Sequence, residues 1–156
     1  RPQRRILGID YDSSKIEVAE NCWVKKTLPL LEFRCAEAME TDFPESDAFI
    51  ISDMLHYLPE EQQFALLEKC LSRLRPGGVI LVREGNSSDV KGQKMTALSE
   101  VMSTRVFSFN KTSGKLHFTS ASILRDYAER LGMDFSEVHK NRLSANTLYQ
   151  FKSTGL

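Results

Sequence analysis

Short apolar runs of strand length alternate with amphipathic stretches along the first half of the chain. Residues 5–9, 31–35, 48–52 and 79–82 carry these runs, and the last two, AFIIS and VILV, are almost continuously apolar. Continuous apolar runs are typical of strands that are covered on both faces in a parallel sheet. The pattern therefore predicts four β-strands separated by helices or loops.

Helical spacing of apolar residues occurs between these runs. The first helix is predicted to run from Ser13 or Ser14, either of which can cap it, to about residue 23. A second helix is predicted to begin at Pro59 and to end at the Pro-Gly-Gly turn of residues 76–78. Its apolar stripe would consist of Phe64, Leu67, Leu71 and Leu74.

The second half of the chain changes character. Residues 85–118 are polar and weakly periodic, and we interpret them as a helix and loop that form a lid inserted into the fold. Ser120 is expected to cap a third helix that closes at Gly132, and residues 133–140 and 146–152 are predicted to form an antiparallel hairpin. The order of elements predicts one α/β domain over residues 1–156, with a mostly parallel sheet, flanking helices and a C-terminal antiparallel hairpin.

Composition narrows the classes of function. Of the residues, 41% are hydrophobic and 27% are charged, and 21 basic residues balance 21 acidic ones. A neutral chain has no bulk attraction to nucleic acid or to an anionic membrane. No apolar run approaches the roughly 18 residues of a membrane span, so a cytoplasmic chain is expected. Its three cysteines, which lack metal-ligand spacing, are expected to be reduced thiols without a metal: Cys22, Cys35 and Cys70.

Polar side chains follow the carboxyl end of each predicted strand, where α/β sheets bind their ligands. An acid at a strand end, directly before a helix, can accept hydrogen bonds from both hydroxyls of a ribose. Asp10 is the predicted ribose ligand, and capping of the following helix is the alternative. Asp12 is expected to interact with the N-terminus of that helix. The later strands are followed by Glu37 and Ala38, by Ser52, Asp53, Met54 and His56, and by Arg83, Glu84 and Asn86.

Several segments in this order resemble the class I S-adenosylmethionine-dependent methyltransferases: GIDYDSSKIEVAEN, FRCAEAMETDFPESDAFIISDMLHYLP, LRPGGVILVREG and the late helix with its hairpin. The resemblance implies a Rossmann-like fold, S-adenosylmethionine as cofactor and methyl transfer as activity. It implies Asp10 at the ribose, Tyr11 beside the adenine, Glu37 and the Ala38 backbone at the adenine amino group, and Ser52, Asp53 and Met54 at the methionine end.

A narrower resemblance involves FPESD, LHYLP and the FNKT…LHFTSA stretch. These segments are similar to the C-terminal methyltransferase domain of bacterial fusion proteins that join a resistance-nodulation-division transporter to a lysophospholipid acyltransferase. The similarity implies a small-molecule or lipid-type acceptor and, in a longer parent protein, a tether to the cytoplasmic face of the membrane.

The chain departs from the methyltransferase pattern upstream of Asp10. The family's first strand, glycine-rich loop and first helix should precede that acid by some tens of residues, yet only nine residues precede it. We therefore expect a truncated domain with a gap in the sheet, impaired in cofactor binding. Another segment or a second copy of the chain, as in a homo-oligomer, could close the gap.

Methyl transfer to an acceptor that keeps its proton at neutral pH needs a general base. His56 is the candidate, because it follows the strand at 48–52 where an acceptor would approach; packing against Tyr57 is the structural alternative. His117, in the predicted lid, could face the acceptor or be structural. Two other functions stay open: a non-catalytic binding or docking module, and an NAD-dependent oxidoreductase, which also places an acid on a ribose.

Overall fold

The computed structural model describes residues 4–22, 27–85, 117–140 and 146–153. These residues fall into two compact units, Arg1–Asp42 and Phe43–Leu156, and the described strands form two sheets. The predicted lid lies outside the described residues except at its two ends. Within the described part of the chain, no helix has both the length and the apolar character needed to cross a bilayer.

The first unit contains two parallel strands and one helix. Strand β1, Ile6–Asp10, pairs with β2, Leu31–Cys35, so that Asp10 lies opposite Cys35. Helix α1, Ser13–Glu20, follows β1 after two residues. The strand ends one residue later than the apolar pattern predicts, because backbone pairing with β2 continues through Asp10.

The cap of α1 is Asp12, whereas the sequence pattern suggested Ser13 or Ser14. The Asp12 carboxylate accepts hydrogen bonds from the Ser14 backbone nitrogen at 2.9 Å and from the Ser14 hydroxyl at 2.7 Å. A carboxylate can accept both bonds, and its negative charge is also favourable beside the positive end of a helix. Asp12 is therefore the helix-start acid that was expected, and Asp10 is left outside the cap.

The second unit is a mixed sheet with helices packed on it. Strands β3 and β4 are parallel, β4 and β6 are antiparallel, and β5 and β6 form the predicted antiparallel hairpin, which gives the spatial order β3-β4-β6-β5. The α/β class with parallel pairs and a C-terminal hairpin is thus confirmed. The elements are β3 Ser46–Ser52, a 3₁₀ turn Leu55–Tyr57, α2 Glu60–Leu71, β4 Leu74–Gly85, α3 Ala121–Arg130, β5 Met133–Lys140 and β6 Asn146–Ser153.

Strand β4 is longer at both ends than the VILV run predicted. Leu74 belongs to β4 and not to the helix, which ends at Leu71. The Pro-Gly-Gly stretch forms an irregularity in the β3–β4 pairing. A side chain at Gly78 would meet the Asp47 carbonyl oxygen at 2.8 Å, so the close approach of the two strands requires glycine there. At the other end, the extension to Gly85 brings Glu84 into the strand.

The core of the second unit lies on one face of its sheet. Alternate residues of β4 and β6 are fully buried there together with the apolar faces of α2 and α3: Ile80, Val82, Tyr149, Phe151, Leu66, Leu67, Leu124 and Ala128. On β3, however, Ile50 is 72% exposed. The expectation that the AFIIS strand is covered on both faces is therefore wrong for the described residues, which cover only the face carrying Ile51.

Burial of one thiol predicts an alkaline loss of stability. Cys70 on α2 is buried, and this burial raises the pKa of its thiol from 9.0 to about 12. Above pH 9 the unfolded chain releases a proton that the folded chain retains, so the free energy of unfolding should fall by up to about 1.4 kcal/mol per pH unit. Urea denaturation at pH 8 to 10 should show this slope.

Cys70→Ala should flatten the slope, whereas Cys35→Ala, at an exposed thiol, should keep it. The comparison stops at pH 10 because burial likewise raises the pKa of Tyr127 to about 12, which adds a second contribution at higher pH. An unchanged slope in Cys70→Ala would show that this thiol is not the source.

Candidate functional site

Asp10 lies at the carboxyl end of β1 and is half-buried. Its Oδ1 accepts a hydrogen bond from the Asp12 backbone nitrogen at 2.9 Å, and its Oδ2 lies 3.7 Å from Lys15 Nζ. A carboxylate has about four acceptor positions. Asp10 therefore orders the turn into α1 and still has acceptor capacity for hydroxyl groups, as a ribose ligand needs.

The other predicted residues of the first unit lie at the same edge of its sheet. Tyr11 follows Asp10 and is 37% exposed, while Glu37 and Ala38 come just after β2. Because β1 and β2 are parallel, the ends of both strands meet at this edge. The Cys35 thiol donates to the Tyr11 carbonyl at 3.5 Å and ties the two strand ends together. The edge thus presents an acid, an aromatic ring and an exposed second acid, Glu37.

In the second unit, a charged pair lies at the carboxyl ends of β3 and β4. Ser52 pairs in register with Arg83, and the Asp53 backbone nitrogen donates to the Arg83 carbonyl at 2.9 Å. The Arg83 guanidinium forms an ion pair with the Asp53 carboxylate and lies 3.4 Å from the Ser52 hydroxyl. Asp53 has a φ of 51°, in the left-handed region that a non-glycine residue rarely adopts.

Next to this pair, a buried glutamate binds three groups of the segment that follows β3. Glu84 is 1% exposed. Its Oε1 accepts hydrogen bonds from the Met54 and Leu55 backbone nitrogens at 2.9 Å and 2.7 Å, and its Oε2 lies 2.7 Å from His56 Nδ1. His56 itself is only 5% exposed. Both oxygens of the buried carboxylate are thus satisfied.

The hydrogen bond to Glu84 favours one tautomer of His56. A carboxylate that is ionised can only accept, and opposite it His56 Nδ1 carries the proton; in a neutral ring Nε2 is then an acceptor. Nε2 is buried and has no hydrogen-bond partner among the described residues. An orphaned polar atom in a buried position is costly and needs an explanation, and a catalytic role is one such explanation. The pair therefore has the arrangement of a general base and the residue that orients it.

The rest of the His56 environment is aromatic and well tied down. Its ring centroid lies 4.1 Å from that of Tyr57, so the packing expected from a structural histidine is also present, and 6.1 Å from that of Phe118. The His117 backbone nitrogen donates to the His56 carbonyl at 2.8 Å. Buried Gln63 in turn donates from Nε2 to the His117 carbonyl at 2.9 Å. His117 is thus placed beside the site through its backbone.

Sequence reasoning missed Glu84 as the partner of His56. The pattern placed Glu84 beyond the end of a strand, among the polar groups of a loop, whereas β4 continues through it. The available signal was alternation, because Ile80, Val82 and Glu84 are two residues apart and so share one face of a strand. An acid on the same face as two buried aliphatic residues needs a partner, but the sequence does not say which one.

Comparison with known proteins adds independent findings. Residues 1–78 match the family described as methyltransferase domain. A carboxy-S-adenosyl-L-methionine synthase from Helicobacter hepaticus is 32% identical over 84 residues, which is 54% of this chain and 35% of that protein. A probable S-adenosylmethionine-dependent methyltransferase from Mycolicibacterium smegmatis is 26% identical over 129 residues, 73% of this chain and 48% of that protein. The chain thus spans a third to a half of these relatives.

Among solved structures, an O-methyltransferase family 2 protein from Planctomyces limnophilus superimposes on 96% of this chain and 44% of its own, with a TM-score of 0.73 and 21% sequence identity. At that identity the likeness establishes the fold. It agrees with the Rossmann-like α/β architecture expected from the sequence.

Proposed function

We propose S-adenosylmethionine-dependent methyl transfer as the function of this chain, which belongs to the methyltransferase domain family. Of the two relatives described above, one is named as S-adenosylmethionine-dependent and the other as a synthase of carboxy-S-adenosyl-L-methionine, which supports the choice of cofactor. The observation that carries the proposal within this chain is the buried His56–Glu84 pair, with a ring nitrogen that has no partner among the described residues. Such a pair suits a reaction that must remove a proton from the acceptor.

The cofactor would supply a methyl group that is already electrophilic, so that the protein needs to position the acceptor and exclude water. A hydroxyl acceptor keeps its proton at neutral pH and is a poor nucleophile in that form. His56 Nε2 would accept this proton from the acceptor hydroxyl. Glu84, hydrogen-bonded to Nδ1, would hold the ring in the required tautomer and stabilise the imidazolium that results.

For the remaining candidate residues, we propose the cofactor contacts that the resemblance to methyltransferases implies. Asp10 would accept hydrogen bonds from the ribose, and Tyr11, Glu37 and the Ala38 backbone would contact the adenine. Ser52 and Asp53 offer polar side chains for the methionine end. The Met54 backbone is already committed, since its nitrogen donates to Glu84 and its carbonyl accepts from the Tyr57 nitrogen. Met54 would therefore contribute its side chain.

The acceptor is proposed to be a small molecule or a lipid, on the strength of the resemblance to the fusion proteins. Incubation of the full-length protein with methyl-labelled S-adenosylmethionine and a cell extract should transfer label to the lipid or to the aqueous fraction, and the labelled fraction identifies the class. Binding of S-adenosylhomocysteine without any transfer would favour a docking module. Binding of NAD instead would favour an oxidoreductase.

Replacing Asp10 by asparagine tests the cofactor site. Asparagine keeps an oxygen that can accept from the Asp12 backbone nitrogen, but it removes the charge that strengthens bonds from ribose hydroxyls. Calorimetric titration of the full-length protein with S-adenosylhomocysteine should show binding weakened by about 1–3 kcal/mol. Glu17→Gln, at an exposed acid on α1, is the control and should bind normally. Equal affinity in Asp10→Asn would mean that Asp10 only orders the turn into α1.

A further inference from the structure

Two neighbouring residues of β4 hold the segment after β3 from opposite sides. Side chains of consecutive strand residues point to opposite faces of a sheet. Arg83 accordingly lies on the exposed face, where it pairs with Asp53, and Glu84 lies on the buried face, where it binds the Met54 and Leu55 nitrogens and His56. The chain between Ser52 and His56 is therefore attached to β4 by side chains from both faces of the strand.

The backbone conformation of this segment is unusual at Asp53. Its φ of 51° is left-handed, and Asp53 immediately precedes the two backbone nitrogens that donate to Glu84 Oε1. A left-handed conformation at a non-glycine residue persists only where its surroundings hold it. Arg83 makes two contacts with Asp53: its carbonyl accepts from the Asp53 nitrogen at 2.9 Å, and its guanidinium pairs with the Asp53 carboxylate. The Ser52 hydroxyl also donates to that carboxylate at 3.2 Å.

We propose that Arg83 is a positioning residue for His56, which it never touches. By holding Asp53 in the left-handed conformation, Arg83 directs the Met54 and Leu55 nitrogens onto Glu84 Oε1. Those bonds fix the Glu84 carboxylate so that Oε2 meets His56 Nδ1. This inference rests on the proposed function only for its catalytic meaning, because the alignment of the ring is a structural property that can be measured without cofactor or acceptor.

A competing view treats Arg83–Asp53 as an ordinary surface ion pair. Both side chains are a little under half exposed, and an exposed pair usually contributes little to stability. The two views differ in what a glycine at position 53 should do. Glycine adopts a positive φ without strain, so Arg83 should become dispensable for ring alignment once Asp53 is replaced.

The test follows the hydrogen-bonded Nδ1 proton of His56 by NMR on the ¹⁵N-histidine-labelled chain at constant pH. A ring proton bound to a buried carboxylate exchanges slowly and is observed as a separate downfield signal, which His56→Gln assigns by its disappearance. Arg83→Met should broaden this signal or reduce its intensity several-fold. Asp53→Gly, alone or combined with Arg83→Met, should retain the signal at close to its original intensity.

The matched control is Arg75→Met, which removes the exposed Arg75–Asp47 pair at the opposite end of the same two strands. It should leave the His56 signal unchanged. Circular dichroism of each variant checks that it is folded. If Arg83→Met alone does not fold, the Asp53→Gly variants still test the proposal. A full His56 signal in folded Arg83→Met would overturn the proposal. Loss of the signal in folded Asp53→Gly, or in the double variant, would overturn it equally.

Discussion

Methyl transfer should fall by about 10²- to 10⁴-fold when Glu84 is replaced by glutamine, the range associated with loss of a general base. Glutamine has nearly the shape of glutamate, and its carbonyl oxygen can still accept from the Met54 and Leu55 nitrogens. Its amide nitrogen then faces His56 Nδ1 and donates to it. The ring proton must move to Nε2, which can no longer take a proton from the acceptor.

Initial rates with labelled S-adenosylmethionine and the full-length protein provide the measurement. His56→Gln should lose a similar factor, and the double variant should lose little more, because residues that act as one unit are not additive. Affinity for S-adenosylhomocysteine should be retained in all three. Glu61→Gln, an exposed acid at the start of α2, is the matched control with normal rates. General bases contribute about 10²- to 10⁴-fold to the rate. If the Glu84→Gln rate stayed within about threefold of the original, Glu84 would therefore have no part in the mechanism.

The free energy of unfolding should fall by at least about 3 kcal/mol when Glu84 is replaced by alanine, because three donors lose their acceptor and each unsatisfied buried donor costs about 1–3 kcal/mol. Glu84 is the common acceptor for the Met54 and Leu55 nitrogens and for His56 Nδ1. Alanine leaves these donors without the carboxylate and opens a cavity beneath the strand. The loss is large because water hydrogen-bonds to these donors in the unfolded chain, whereas in the folded variant they are left unpaired.

Urea denaturation at pH 7 measures this loss. Glu84→Gln should lose much less than Glu84→Ala, since it keeps the oxygen that accepts from the two backbone nitrogens. Glu61→Ala serves as the exposed control and should change stability by no more than about 0.5 kcal/mol. If Glu84→Ala were as stable as this control, the carboxylate could not be the buried acceptor on which the segment after β3 depends.

Sequence patterning was most reliable where one local feature dominates. The LEFRC strand, the cap at Ser120 and the C-terminal hairpin are confirmed at or within a residue or two of their predicted positions. Errors arose where two signals compete. Leu74 continues the helical stripe of α2, yet it belongs to β4, because the strand can pair with β3 before the Pro-Gly-Gly irregularity as well as after it.

The candidate site shows the same division. Placement of polar residues at strand ends follows from the order of elements, so Asp10, Asp53 and His56 could be chosen from the sequence. Their partners could not. The bonds between His56 and Glu84 and between Asp53 and Arg83 join residues about 30 positions apart, and they exist only because β3 and β4 pair in parallel in one particular register.

The sequence by itself determined the α/β class, the resemblance to methyltransferases and the set of polar residues at strand ends, because periodicity and local turn chemistry depend on neighbours in the chain. The tertiary structure decided which of those residues act together. Strand pairing placed Glu84 on the buried face and Arg83 on the exposed face of β4, and burial turned an acid in a polar stretch into the partner that orients His56. Alternation can indicate which residues share a face, but the register of the strands and the partner that each buried side chain meets are properties of the assembled sheet, which no local pattern contains.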